Sequence, residues 1–196
     1  MREMIKMIVV LTILSSFSGG LLAALKNGTQ EKIDYQELKN VKGPAIESIL
    51  KGCENDPIVD RFKITDGEQE RSFFVGIFNG KPKSVAFETY GKGFAGKVGV
   101  IVGVNLEDGS MLGAQVTTHN ETPGVGSKAK DDPSFVSQFT KKIVTDTFGV
   151  KQDGGNIDAI AGATITSRGV CMAVTQAGEI YKRLKPEIAK QLDKFK

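Results

Sequence analysis

At 196 residues the chain has room for one domain of ordinary size plus an anchor. With 40% hydrophobic and 25% charged residues it is not a disordered chain. Its net charge of +3 is small and dispersed, and it carries no zinc-finger spacing, basic region or aromatic-basic motif, so the sequence gives no basis for nucleic-acid binding.

The stretch from Met7 to Leu25 has no charged residue and is long enough to cross a bilayer core as a helix. Arg2 and Lys6 precede it and favour a cytoplasmic N-terminus, while Lys26 and Lys32 on the far side weigh against that orientation. A cleaved signal peptide is the competing reading. Leu25-Lys26 is a poor continuation for one, and no clean Ala-x-Ala site with a polar follower is present. The reading adopted is a retained anchor in the cytoplasmic membrane. Residues 1–6 then lie in the cytoplasm, 7–25 span, 26–60 form a linker with a short helix, 61–186 form an extracytoplasmic domain and 187–196 a basic tail.

Pro44 to Lys51 predicts that short helix, with Ile46, Ile49 and Leu50 on one face. Cys53 to Asp60 reads as a turn around Asp56-Pro57. Strands follow at Arg61 to Ile64, Ser72 to Phe78 and Lys83 to Thr89, with the hairpin dipeptide Asn79-Gly80 between the last two. Tyr90 to Lys97 holds Gly91, Gly93 and Gly96 in Gly-x-Gly-x-x-Gly spacing. A dinucleotide site is rejected because a strand follows these glycines, not a helix. The glycines instead let the backbone bend, or approach a ligand, at a sheet edge. Val98 to Leu106 and Met111 to Thr118 form a hairpin around Glu107-Asp108-Gly109. Pro133 to Lys142 predicts a helix with Phe135 and Phe139 four apart, and Asp146 to Asp158 is a polar excursion. Thr166 to Leu184 predicts the long helix, through Val170, Val174, Ala177, Tyr181 and Leu184, and Pro186 is expected to end it. The fold class is α+β: an antiparallel sheet with packed helices on one side. Cys53 and Cys171 read as free thiols, with pairing as the alternative. The single His119 excludes a multi-histidine metal site.

Two stretches carry candidate chemistry. In Ala161 to Ser167, Gly162 permits a backbone shape that other residues avoid, and a helix follows. A helix start offers unpaired N–H groups and a partial positive charge, and Thr164, Thr166 and Ser167 add hydroxyls, so an anion is stabilised there. Simple capping by Thr166 or Ser167 is the plainer alternative. The loop His119 to Gly126 places His119, Asn120, Glu121 and Thr122 before Pro123-Gly124. It is either a site or an ordinary Pro-Gly turn. A hydrolase lacks support, since there is no nucleophile elbow and no second histidine.

Taken together, His119-Asn-Glu-Thr-Pro-Gly124 and Asp158-Ala-Ile-Ala-Gly-Ala-Thr-Ile-Thr-Ser167 resemble the FMN-binding domain of ion-translocating redox complexes, and Tyr90 to Gly103 resembles it too. One span before one domain is similar to the G-subunit family of Rnf-type ferredoxin:NAD oxidoreductases, related to the C subunits of sodium-pumping NADH:quinone reductases. The resemblance implies an electron-transfer subunit with FMN joined to Thr164 by a phosphoester. It implies partners among the other membrane subunits of such a complex. A flavin transferase would make the bond and recognise Asp158. Gly162, Ala163, Thr166 and Ser167 would surround the phosphate; Glu121, Thr122, Pro123 and Gly124 would lie along the ring. No side chain is required as a catalyst, because the flavin supplies the redox chemistry. Ala161 departs from the family, which carries Ser or Thr there. The alternative from a different class is an anchored module that binds a phosphate or carboxylate ligand reversibly.

Overall fold

The computed structural model describes residues 1–67 and 69–195. They form two compact units, Met1–Lys39 and Asn40–Lys196, whose last residue lies outside the described residues, as does the end of the expected basic tail.

The first unit is essentially one helix, α1 (Arg2–Glu37). Its part Arg2–Gln30 is long and apolar enough to cross a membrane, and none of that apolar window is buried. The helix therefore continues past the expected end of the span at Leu25. Local bonds sustain it there: the Thr29 hydroxyl donates to the Leu25 carbonyl at 2.8 Å, and the Gln30 amide to Asp34 at 2.7 Å.

A π-helical turn, Leu38–Lys42, runs across the boundary between the units, and α2 (Gly43–Ile49) follows, with Pro44 in its first turn. Five strands follow: β1 (Arg61–Asp66), β2 (Gln69–Phe78), β3 (Lys81–Lys92), β4 (Lys97–Asn105) and β5 (Met111–Val116). They pair in chain order, antiparallel throughout. Two short helices, α3 (Lys128–Asp131) and α4 (Pro133–Ser137), lead to a 3-10 turn at Lys151–Asp153 and to the long α5 (Thr164–Leu192).

Sheet alternation explains the layers. Val85, Phe87 and Thr89 share one face of β3 and lie opposite Val104, Val102 and Val100 of β4. That face meets Val170, Ala173, Val174, Ala177 and Tyr181 of α5 in one buried core. The Thr89 hydroxyl donates to the Ala173 carbonyl at 2.9 Å across this layer. Gly103 points to the opposite face, where a Cβ would stand 2.1 Å from Ile49 Cγ2. The helices are thus not confined to one side: α2 covers the face that α5 leaves open. This is why the run Val98–Val104 is buried continuously and does not alternate.

Two helix predictions change. The helix expected over 133–142 stops at Ser137. Beyond it the backbone pairs with β5, Lys141 N–H donating to Met111 O and Met111 N–H to Lys142 O, each at 2.8 Å. Conversely, Pro186 does not end α5, which continues to Leu192 and into a 3-10 turn at Asp193–Phe195, so residues 187–195 of the expected tail are helical. Proline inside a helix costs about 3 kcal/mol. Burial of Ile188 and Leu192 offsets it at roughly 1.5–3 kcal/mol each. Phe195 then packs near Phe62, their ring centroids 6.2 Å apart. Cys53 and Cys171 are free thiols, and burial pushes the Cys171 thiol up to about 11.

Candidate functional site

The long helix starts two residues earlier than expected, at Thr164. Gly162 has φ +80°, a left-handed conformation suited to glycine, and the turn closes with Ala163 N–H donating to Ile160 O at 2.9 Å. Ala163 is the N-cap, and no side chain caps the helix. Capping by Thr166 or Ser167 is therefore not what these hydroxyls do. The first-turn N–H groups carry the helix's partial positive charge without a side-chain acceptor.

The three hydroxyls of this turn have different surroundings. Thr164 is half-buried and lines a pocket of about 330 Å³. Thr166 is buried, and its hydroxyl donates to Glu121 Oε2. Ser167 is fully buried, donates to Ala163 O and accepts from Ile160 N–H, each at 3.0 Å, and does not line the pocket.

Across the pocket stands the loop after β5. Glu121, Thr122, Val125 and Gly126 line it, together with Gly162, Ala163, Ile165, Thr166 and Phe94. Six predicted site residues thus meet around one opening: Glu121, Thr122, Gly162, Ala163, Thr164 and Thr166. Its volume falls at the lower end of the ~300–1,000 Å³ typical of small-molecule sites. Pro123 and Gly124 shape the loop without lining the pocket. Gly124 has φ +72° and donates its N–H to Ser127 Oγ at 2.9 Å. His119 sits at the loop's entry, its Nδ1 accepting from Glu121 N–H at 3.3 Å.

Asp158 also lies off the pocket. It is exposed and ion-pairs with Lys151 at 2.7 Å. Its backbone is held on both sides by Gln138, which accepts from Asp158 N–H at 2.7 Å and donates to Asp158 O at 3.2 Å. Ala161 is exposed beside it, on the turn before Thr164.

Glu121 is buried yet charged. Burial raises its carboxyl pKa. The Thr166 hydroxyl, the N–H groups of Ala95 and Phe94 and the nearby His119 outweigh that and hold it below the usual range. A folded-state value below the unfolded one, about 4.3, means stability that is present at neutral pH and lost as pH falls through the folded value. Glu121→Gln is therefore expected to unfold more easily than the native chain at pH 7, with the gap closing below about pH 4. Urea midpoints across that range check it; a gap independent of pH would contradict the charged assignment.

The residues missed from the sequence are Phe94, Val125, Gly126 and Ile165, each beside or between residues already singled out. Phe94 is 71% exposed at the pocket rim. The glycine stretch bearing it joins the two central strands β3 and β4, not a sheet edge. A larger groove of about 920 Å³ runs past Tyr90, Lys92, Phe148, Arg168 and Met172, but holds none of the predicted site residues. The smaller pocket has the half-buried Thr164 hydroxyl and the uncapped helix start, which makes it the candidate site.

The arrangement fits a flavin phosphate: an accessible threonine hydroxyl stands on an uncapped helix start beside a pocket. A family model described as FMN-binding domain matches residues 93–179, which include every lining residue of this pocket. The chain is 32% identical over 179 residues to the G subunit of the ion-translocating oxidoreductase complex of Vibrio atlanticus, covering 86% of this chain and 85% of that one. It is 28% identical to the G subunit of the same complex in Methanosarcina acetivorans, over 90% and 93% of the two chains. The crystal structure of the Na(+)-translocating NADH-quinone reductase C subunit from Parabacteroides distasonis aligns with a TM-score of 0.51 at 26% identity, covering 65% of this chain and 69% of that one. With the relatives matching nearly end to end and the FMN-binding model falling on the pocket, this chain belongs to the family of G subunits of ion-translocating oxidoreductase complexes.

Proposed function

We propose that this chain is an electron-transfer subunit of a membrane-bound ion-translocating oxidoreductase, with FMN attached covalently through a phosphoester to Thr164. The observation that carries the reading is the position of Thr164: a partly exposed hydroxyl on an uncapped helix start, lining a pocket. The helix dipole would favour the phosphate by about 0.3–1 kcal/mol, and by more where it is partly buried. Gly162 and Ala163 shape the turn beneath it. Thr122 and the backbone around Pro123 and Gly124 would flank the ring, and Phe94 would cover its exposed side. When bound, the flavin supplies the redox chemistry, and the protein sets its orientation and potential. Thr166 and Ser167 hold the turn in shape through their own hydrogen bonds and serve the cofactor indirectly.

Asp158, held by Gln138 and Lys151 on an exposed loop, is the proposed contact for a flavin transferase. Arg2 and Lys6, ahead of the uncharged stretch Met7 to Leu25, support an N-terminus in the cytoplasm, which would place residues 61–186 outside the membrane, facing other subunits of the complex.

The uncapped helix start would also hold a free phosphate or carboxylate reversibly. One experiment separates the readings: full-length protein is produced together with a flavin transferase and precipitated with acid. Covalent attachment leaves yellow colour in the pellet and an intact mass raised by FMN less water. Colour released to the supernatant, with an unmodified mass, would establish reversible binding instead.

A further inference from the structure

Among the described residues lining the Thr164 pocket, Glu121 is the only charged one. It is 5% exposed, and both carboxylate oxygens have partners. Oε1 accepts from Ala95 N–H at 2.9 Å, and Oε2 accepts from the Thr166 hydroxyl. Ala95 belongs to the β3–β4 turn, Thr166 to the first turn of α5, and Glu121 to the loop after β5. One side chain thus ties together three segments that are distant in sequence. The backbone leaves it no slack: a Cβ on Gly126 would stand 2.8 Å from Oε2.

We propose that Glu121 is a positioning residue of the flavin site: its carboxylate fastens the turn bearing Phe94 to the first turn of α5, and its fixed charge lowers the reduction potential of a flavin held in the pocket. The second half rests on the flavin assignment above. Reduced flavin at neutral pH is an anion, formed by uptake of two electrons and one proton, so a buried negative charge beside it disfavours that state. The charge persists because three donors stabilise it, and a low local dielectric strengthens its reach. The uncapped helix start opposes it on the phosphate side, which lets one small pocket accept a phosphate and still carry a carboxylate.

Two variants divide the roles. Glu121→Gln keeps the shape and an acceptor for Ala95 but removes the charge. Thr166→Val keeps the charge but removes one arm of the fastening. Full-length flavinylated proteins are titrated with dithionite against indicator dyes. Hydrogen exchange of peptides covering Phe94 to Lys97 is measured on chains carrying Thr164→Ala, which need no flavin. Expected are a more positive potential for the flavin that Glu121→Gln carries, and roughly tenfold faster exchange in Thr166→Val, as loss of one charge-assisted hydrogen bond implies. An unchanged potential in Glu121→Gln overturns the electrostatic role, and unchanged exchange in Thr166→Val overturns the fastening. A native chain that never acquires covalent flavin overturns the flavin assignment, and the potential with it, while the exchange experiment still decides the fastening.

Discussion

Thr164→Ala is expected to abolish covalent flavin completely, leaving no ultraviolet fluorescence in a denaturing gel and an unmodified intact mass. The loss is total, not partial, because no other hydroxyl of the helix start can replace it. Thr166 lies two residues on, but its side chain is 2% exposed and its proton is held by Glu121. Ser167 is fully buried between Ala163 and Ile160. Thr164 itself makes no capping bond, so the folded domain should change stability by less than about 0.5 kcal/mol. A variant that folds normally and still fluoresces would refute Thr164 as the attachment point. Thr164→Ser, which retains the hydroxyl, should keep fluorescence.

Gly91→Ala is expected to cause the largest loss of stability of any single methyl addition considered, about 3 kcal/mol, the upper end of the overpacking range. A Cβ at that position would lie 1.8 Å from the Gly169 carbonyl oxygen and 2.7 Å from its carbon. These are backbone atoms of α5 and cannot rotate aside. The contact is reciprocal, since a Cβ on Gly169 would meet the Lys92 carbonyl at 2.7 Å and Gly93 N at 3.0 Å. The end of β3 and the second turn of α5 therefore touch backbone to backbone. Urea unfolding measures the effect. Gly113→Ala is the control, where a Cβ would meet only Ile49 Cγ1 at 3.8 Å, an ordinary contact. Similar midpoints for both variants would show that the crossing tolerates separation. The site should suffer as well, because Phe94 and Ala95 follow directly on Gly93, and pushing the strand from the helix moves them away from Glu121.

Much of the fold was legible because local chemistry and tertiary packing agree. Asn79-Gly80 turned β2 into β3, and Asp108-Gly109 closed the turn between β4 and β5, because residues of these types accept the backbone angles such turns need. The α5 stripe through Val170, Val174, Ala177, Tyr181 and Leu184 is buried as its period requires. The misreadings came where distant partners outweighed local preference. Pro186 signals a helix end, but Ile188 and Leu192 find buried places beyond it. Phe135 and Phe139 keep helical spacing, yet the backbone after Ser137 is drawn into pairing with Met111.

The candidate site divides in the same way. Its chemical parts were readable along the chain: a glycine turn before a helix carrying threonines, and a Glu-Thr-Pro-Gly loop. Each of these is a local property, written in composition and spacing, and their order along the chain carried the family resemblance. Which hydroxyl is available was not readable there, because availability depends on what lies across the pocket. Thr164 and Thr166 are alike on paper. They differ because a carboxylate 45 residues away reaches one and not the other. The closeness of Phe94 to that helix start was likewise invisible in the sequence, since it depends on two glycines, Gly91 and Gly169, letting a strand and a helix meet at backbone distance.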